Sequence, residues 1–399
     1  MAPLKAPGLD GMPPFFYQNY WELVGVDVTK TILSYLNSAS LPHPLNHTFL
    51  TLIPKIKNPI FVSDYRPISL CNVLYKIFSK VLANRLKNIL PNIIFEEQSA
   101  FTKKRLISDN ILVAFETLHS MNVHKSTKSG YMAMKLNMSK AYGRVQWIFL
   151  ERVIRKVGFN ERWINLMMVC VKTVSYSVLV NGEPKGLIRP TRGIRQGDLL
   201  SPFLFLLCME GLHSLISKAE REGAIHGFGL SRKSPKLTHL LFMDDSLLFC
   251  RFNRSECQKV LEILAQYESL SGQQINKGKT AIFFSKSTNE AMKLEIQEAL
   301  GVQEIKQFDK YLGLPSLVGK HKKANFDYIK ERIWRNLQGW EEKLLSQPRR
   351  EILIKAVVQA IPTYSMCCFK LPLGLCQEIE GLIRKFCGAK GVSEGRYIG

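Results

Sequence analysis

Leu237-Thr-His-Leu-Leu-Phe-Met-Asp-Asp-Ser-Leu-Leu-Phe-Cys250 sets two adjacent carboxylates, Asp244 and Asp245, between two apolar, β-prone runs. The runs at 237–242 and 246–250 predict two strands joined by a tight turn. Such a turn holds two negative charges side by side at a sheet edge. That is repulsive unless a cation compensates, and a divalent metal is the usual one. Turns also favour aspartate for purely structural reasons, so the pair taken alone reads either way.

Two upstream segments change its meaning. Arg192-Gly-Ile-Arg-Gln-Gly-Asp-Leu-Leu-Ser-Pro202 is a polar, glycine-containing turn that runs into an apolar helix, predicted from near Pro202 to about Arg221. Glycine there allows another backbone or a flat base to approach closely. Lys135-Leu-Asn-Met-Ser-Lys-Ala-Tyr142 reads as the end of a buried strand (131–136) passing into a helix, a place where side chains reach solvent. The three segments follow one another at intervals of about 50 residues.

Composition narrows the partners. The 399 residues are 46% hydrophobic and 22% charged, which is ordinary globular chemistry. The 55 Lys and Arg against 33 acidic residues leave a net charge of +22. A surface that basic attracts polyanions, nucleic acid foremost; a solvated basic face without a partner is the plainer alternative. None of the nine cysteines forms a C-x-x-C pair, so the spacing of a zinc knuckle is missing. Reduced thiols in a nuclear or cytoplasmic protein are expected, with no secretion signal and no apolar stretch long enough to span a bilayer.

Elsewhere, apolar periodicity predicts helices over 76–90 (stopped by Pro91), 147–157 (ended by Gly158), 255–270 and 350–361 (bounded by Pro362). A hairpin is predicted from 174–180 through Asn181-Gly182 to 187 onward, and a strand at 281–285. Residues 120–130 read as a polar loop. Strands and helices mix up to about residue 290 and helices dominate after 320, which makes the chain α+β with a helical appendage.

With these segments in place, the chain resembles plant LINE-type (non-LTR) retrotransposon reverse transcriptases. The matching segments are Lys5 to Met12, Leu52 to Pro59, Tyr65 to Leu70, Glu97 to Phe101, Met134 to Arg144, Arg192 to Pro202 and Phe242 to Asp245, followed by Tyr311 to Pro315 and Arg350 to Ala356. Each is moderately specific; their order and spacing together are highly specific. The resemblance implies a right-hand polymerase fold, with fingers, a palm carrying an antiparallel sheet, and a helical thumb. It implies fingers and palm entry at 1–130, palm with an inserted fingers segment at 131–290, a primer-grip-like connection at 291–320 and a truncated thumb at 321–399.

The implied activity is RNA-directed DNA synthesis by two-metal nucleotidyl transfer onto a primer 3′-hydroxyl. Mg²⁺ or Mn²⁺ is the implied cofactor; an RNA template, a DNA primer and deoxynucleoside triphosphates are the partners. Carried over residue by residue, Asp244 and Asp245 are metal ligands. Tyr142 excludes a ribose 2′-hydroxyl, and Gln196 and Gly197 line the nucleotide. Arg66 and Lys55 lie near the triphosphate, and Lys279 attends pyrophosphate departure, with Lys277 a close competitor.

Departures count as well. Asn137 stands where the family has a metal-binding aspartate, Gly143 where a second aspartate is usual, and Leu199 where proline is usual. The expectation is an impaired copy, a fragment of an element accumulating substitutions. The alternative function is a catalytically dead relic that only binds primer–template.

Overall fold

The computed structural model describes residues 1–123, 130–231, 233–286, 288, 290–301, 303–304, 310–316, 322–341 and 345–388. They divide into two compact units, Met1–Leu106 with Ser126–Glu304, and Ile107–Lys125 with Ile305–Gly399.

The first unit holds two main sheets. Strands β1 (His47–Pro54) and β2 (Tyr65–Leu70) pair antiparallel. Strands β4 (Ser175–Val180) and β5 (Glu183–Ile188) form a hairpin, and β4 joins β1 in parallel, giving the order β2-β1-β4-β5. The β4–β5 loop is the two-residue Asn181-Gly182, with φ of 52° and 85°, as the right-handed twist of a tight hairpin demands.

The second sheet carries the carboxylates. It contains β3 (Tyr131–Leu136), β8 (His239–Phe242), β9 (Asp245–Arg251), β10 (Ala281–Phe284) and β11 (Gln303–Glu304), in the order β11-β10-β3-β9-β8. Between β5 and β8 in sequence lies a small ladder of β6 (Phe228–Gly229) and β7 (Lys236–Leu237). β3 and β9 are buried along most of their length, which explains why both read as nearly continuous apolar runs rather than alternating ones.

One helix, Ser201–Arg221, organises the core of this unit. Its side chains are buried around most of the circumference, Phe205, Leu206, Cys208 and Met209 among them, as expected of a helix enclosed on all sides. Tyr267, from the helix Arg254–Ser271, donates its hydroxyl to the Cys208 carbonyl at 3.3 Å. Phe149, from the helix Trp147–Val157, meets the Tyr267 ring edge-on and lies where a Cβ on Gly211 would come within 2.7 Å. A side chain on Gly211 would require the Phe149 ring to shift.

The second unit is helical in its described part. Phe326, Ile329, Ile333 and Leu337 line one face of the helix Lys322–Glu341 and pack with Ile354, Val358, Leu375, Ile379 and Phe386. The helix Ile107–Val123 belongs here too: Phe115 packs edge-on against Phe369, and Tyr311 donates to Asn110 Oδ1 at 2.8 Å.

Several expected boundaries move. Residues 120–123 are helical, and residues 124–129 lie outside the described residues. The helix Val73–Ile93 starts before 76 and runs through Pro91. Pro91 sits in the last turn, so its missing N–H costs one bond without breaking the preceding turns. Pro362 likewise lies inside the helix Ala360–Met366. A π-helical turn at Ile354–Val358 precedes it, and loosening the backbone there accommodates the ring that would otherwise meet the Val358 carbonyl. β5 begins at Glu183 rather than 187, because the two-residue turn leaves no room for a longer loop.

Candidate active site

The β8–β9 hairpin closes through Met243-Asp244, with Phe242 opposite Asp245 in the ladder. Met243 takes a φ of 55°, a left-handed conformation that costs a residue with a Cβ about 1–2 kcal/mol. The turn is held from behind. Leu241 N–H donates to the Glu97 carbonyl at 2.8 Å, and Ser99 N–H donates to the Leu241 carbonyl at 3.2 Å, so Glu97-Gln-Ser99 adds to the open edge of β8. Gln98 Oε1, fully buried, accepts the Met243 N–H at 3.3 Å and the Ala100 N–H at 3.0 Å.

β3 lies on the other side of β9. Leu136 pairs with Ser246 and Lys135 with Leu247. The ladder ends there, and Asn137 and Asp245 are the residues next to its last pair, which puts both at the same end of β3 and β9. Asn137 is fixed in turn by its carbonyl, which accepts the Asn276 N–H at 2.7 Å, while Met138 bridges Ile275. The turn Lys277–Lys279 follows directly, which brings the exposed Lys279 to the flank of this edge.

Electrostatics tie the group together. Burial holds the Asp244 carboxyl above the ordinary carboxylate range. Burial does the same for Asp245, the Asp244 charge adds to it, and Lys135 opposes it. Tyr142 is made a weaker acid by burial and by the Asp244 charge, which places its hydroxyl within electrostatic reach of that carboxylate. Its ring stacks on Phe205, centroids 5.2 Å apart and planes 13° from parallel. A divalent cation here would offset both the desolvation and the mutual repulsion, so the two aspartates fit one. Asn137 offers a single neutral oxygen for the same purpose.

The Arg192–Pro202 loop is built onto this edge. Ile194 N–H donates to the Tyr142 carbonyl at 2.8 Å, Gly193 N–H to the Val145 carbonyl at 2.7 Å, and Trp147 Nε1 to the Gly193 carbonyl at 2.7 Å. Gly193 has a φ of 90°, and a Cβ on it would lie 2.8 Å from the Gly143 carbonyl oxygen. At Gly143 itself a Cβ would meet open space. On the far side, the Gln196 carbonyl accepts the Ser69 N–H of β2 at 2.9 Å. Gly197, with a φ of 103°, lies against the Ser69 carbonyl.

Arg66 lies in the β1–β2 ladder opposite Ile53, and Lys55 directly follows β1, its N–H donating to the Asp64 carbonyl at 2.7 Å. Both are exposed, and Lys55 Nζ donates to the Ser63 carbonyl at 2.7 Å. Asn137, Asp244, Asp245 and Tyr142 are thus brought together, with Lys279 flanking. Gln196 and Gly197 bridge from them to β2, and Arg66 and Lys55 lie further out along that strand pair.

Two residues of the loop escaped the sequence reading. Arg195 is buried, donates to the Cys170 carbonyl at 2.8 Å and to Thr48 Oγ1 at 3.1 Å, and lies 3.8 Å over the Tyr75 ring. Asp198 Oδ2 accepts from the Tyr75 hydroxyl at 3.1 Å and from Ser201 Oγ at 3.3 Å. These two anchor the loop from beneath. The signal was present in the sequence, since charges inside a glycine turn next to an apolar helix are costly unless they are paired.

The matching N-terminal segment is also an anchor. A Cβ on Gly8 would fall within 2.4 Å of Asn72, and Lys76 Nζ donates to the Ala6 carbonyl at 3.1 Å.

Comparison with known proteins identifies the family. Residues 53–326 match the family model for reverse transcriptase (RNA-dependent DNA polymerase). A 149 kDa protein of transposon TX1 from Xenopus laevis is 26% identical over 376 residues, covering 91% of this chain and 27% of the relative. The Pol polyprotein of the R2DM element of Drosophila melanogaster is 26% identical over 392 residues, covering 96% of this chain and 35% of the relative. The chain therefore spans about a third or less of the length of these two relatives. Among solved structures, telomerase from Candida tropicalis in complex with a telomeric RNA fragment aligns at a TM-score of 0.48 and 13% identity, over 91% of this chain and 58% of that one. The α+β architecture is that of a right-hand polymerase, and the chain belongs to the reverse transcriptase family, as the reverse transcriptase domain of a non-LTR retrotransposon.

Proposed function

We propose that the chain is the catalytic part of an RNA-directed DNA polymerase of plant LINE type, acting on a DNA primer annealed to an RNA template. The observation that carries this reading is the convergence of Asp244, Asp245, Asn137 and Tyr142 on one edge of the β3–β9–β8 sheet. In this reading the sheet and the β1–β2 and β4–β5 strands are palm and fingers, and the second unit contains the thumb.

Asp244 and Asp245 hold the divalent cations, Mg²⁺ or Mn²⁺. When bound, these supply charge stabilisation at the attacking and leaving oxygens. Asn137 keeps the shape of an aspartate and one acceptor oxygen but contributes no charge. The Tyr142 ring, fixed by Phe205, closes the space beside the sugar, so a ribose 2′-hydroxyl meets it and a deoxyribose does not. Gln196 and Gly197 line the base and sugar of the incoming deoxynucleoside triphosphate. Arg66 and Lys55 present positive charge to its phosphates, and Lys279 does so where pyrophosphate departs.

Asn137 favours a second reading for this copy, a primer–template binder with little or no turnover. Deoxynucleotide incorporation on a primed RNA template by the Asn137→Asp variant tests the main reading. Incorporation that disappears in the same variant carrying Asp244→Asn is expected. Incorporation indifferent to Asp244→Asn would overturn it.

A further inference from the structure

Three donors far apart in sequence meet at the other end of β8 from the aspartate turn. His213 Nδ1, on the helix Ser201–Arg221, lies 2.8 Å from His239 Nε2, and Glu97 Oε2 lies 3.6 Å from the same His213 Nδ1. All three donor atoms fall within 4.8 Å of one another. We propose that Glu97, His213 and His239 form a binding site for a transition-metal cation of zinc type, distinct from the catalytic carboxylates.

The remaining ring nitrogens support this. His239 Nδ1 lies 2.9 Å from Thr238 Oγ1, and the Thr238 hydroxyl donates onward to Glu220 Oε2 at 3.3 Å. With its proton directed to Glu220, Thr238 accepts from His239 Nδ1, so the Nε2 facing the cluster carries a lone pair. His213 Nε2 lies 3.0 Å from Ser217 Oγ. Outer partners that fix ring orientation and tautomer in this way are the usual second layer of a metal site. Phe95 stacks on the His213 ring with centroids 3.7 Å apart and holds its plane.

Glu210 is an independent observation. It lies one turn before His213 on the same helix and is 5% exposed. Neither of its carboxylate oxygens has a hydrogen-bond donor among the described residues; the nearby Phe95 N–H falls short of hydrogen-bond geometry. The Arg105 guanidinium acts on Glu210 from a distance but donates its hydrogen bonds to the Ile94, Phe95 and Gln98 carbonyls, and a divalent ion would give Glu97, His213 and His239 a shared partner. The Glu97 side chain is 35% exposed, which leaves an approach from solvent and an open coordination position. Two imidazoles and a carboxylate suit zinc better than Mg²⁺, which prefers oxygen ligands and retained water.

The test uses the whole chain, stripped with a chelator and then titrated with Zn²⁺ or Co²⁺. About one equivalent of Zn²⁺ is expected to bind, with a rise in Tm and a Co²⁺ visible spectrum typical of nitrogen and oxygen ligands. Glu97→Gln, a change at a partly exposed residue, is expected to weaken binding at least about tenfold. His213→Gln and His239→Gln should abolish it, and His226→Gln, which lies in a separate pair with Glu256, should leave it intact. If the histidine variants do not fold, the Glu97→Gln arm decides. No Zn²⁺ binding, equal binding by Glu97→Gln, or a Co²⁺–thiolate band assigning the metal to cysteines would each overturn the proposal. None of these outcomes depends on polymerase activity.

Discussion

Gln98 reaches the aspartate turn from outside the hairpin, its Oε1 accepting the N–H of Met243 at 3.3 Å. The strained residue next to Asp244 is therefore held by a side chain more than a hundred residues upstream. Gln98→Leu leaves the buried Met243 and Ala100 N–H groups without an acceptor, a loss of about 1–3 kcal/mol. Faster amide hydrogen exchange at Met243 and Ala100 is the expected signature, with the β3–β9 amides little changed. Unchanged exchange at Met243 would show that the turn holds itself.

Gly193 and Gly143 touch, yet they should respond oppositely to substitution. A Cβ at Gly193 strikes the Gly143 carbonyl and requires a left-handed φ, whereas a Cβ at Gly143 meets open space. Gly193→Ala is expected to cost at least about 1–3 kcal/mol in urea unfolding. Gly143→Asp, which supplies the residue the family resemblance implies, should stay within about 0.5 kcal/mol. Equal costs would contradict the packing described.

Arg195 is expected to be structural. Arg195→Met removes the donors to Cys170 and Thr48 and leaves Asp198 nearby without a buried counter-charge. Breaking a buried charged arrangement from one side costs about 3–5 kcal/mol. Denaturant melts should show that loss, and a melt within experimental error of the parent would contradict it.

The strand pattern around Asp244 was legible because β3, β8 and β9 are buried apolar runs bounded by turn residues. Asp244, Tyr142 and Gln196 stand out as candidates because their segments resemble a known family in order and spacing. What stayed hidden was long-range. Nothing local marks Glu97-Gln-Ser99 as an added edge for β8, since its pairing is set by a partner about 140 residues away. His213 reads as one polar residue in an apolar helix until β8 brings His239 to it. Pro91 and Pro362 misled in the other direction, because a proline near a helix end, or just after a π turn, ends nothing.

A net charge of +22 predicts that binding to an RNA–DNA hybrid is driven by counterion release. Affinity should fall at least about tenfold between 50 and 200 mM salt, irrespective of sequence. Anisotropy titrations with two unrelated hybrids measure this. Affinity that is flat with salt, or confined to one hybrid, would contradict it.

The central claim is that Asn137 occupies a metal-ligand position at the same end of β3 and β9 as Asp245, and one rate comparison tests it most directly. Primer extension on a homopolymer RNA template with Mg²⁺ is measured for the parent chain and for Asn137→Asp under identical conditions. Charge stabilisation by the metals is worth several kcal/mol, and about 1.4 kcal/mol corresponds to tenfold in rate. The revertant is therefore expected to extend at least about a hundredfold faster, with little change in folding stability because the exchange is nearly isosteric. A parent that extends as fast as its revertant would show that Asn137 is not at the metal position.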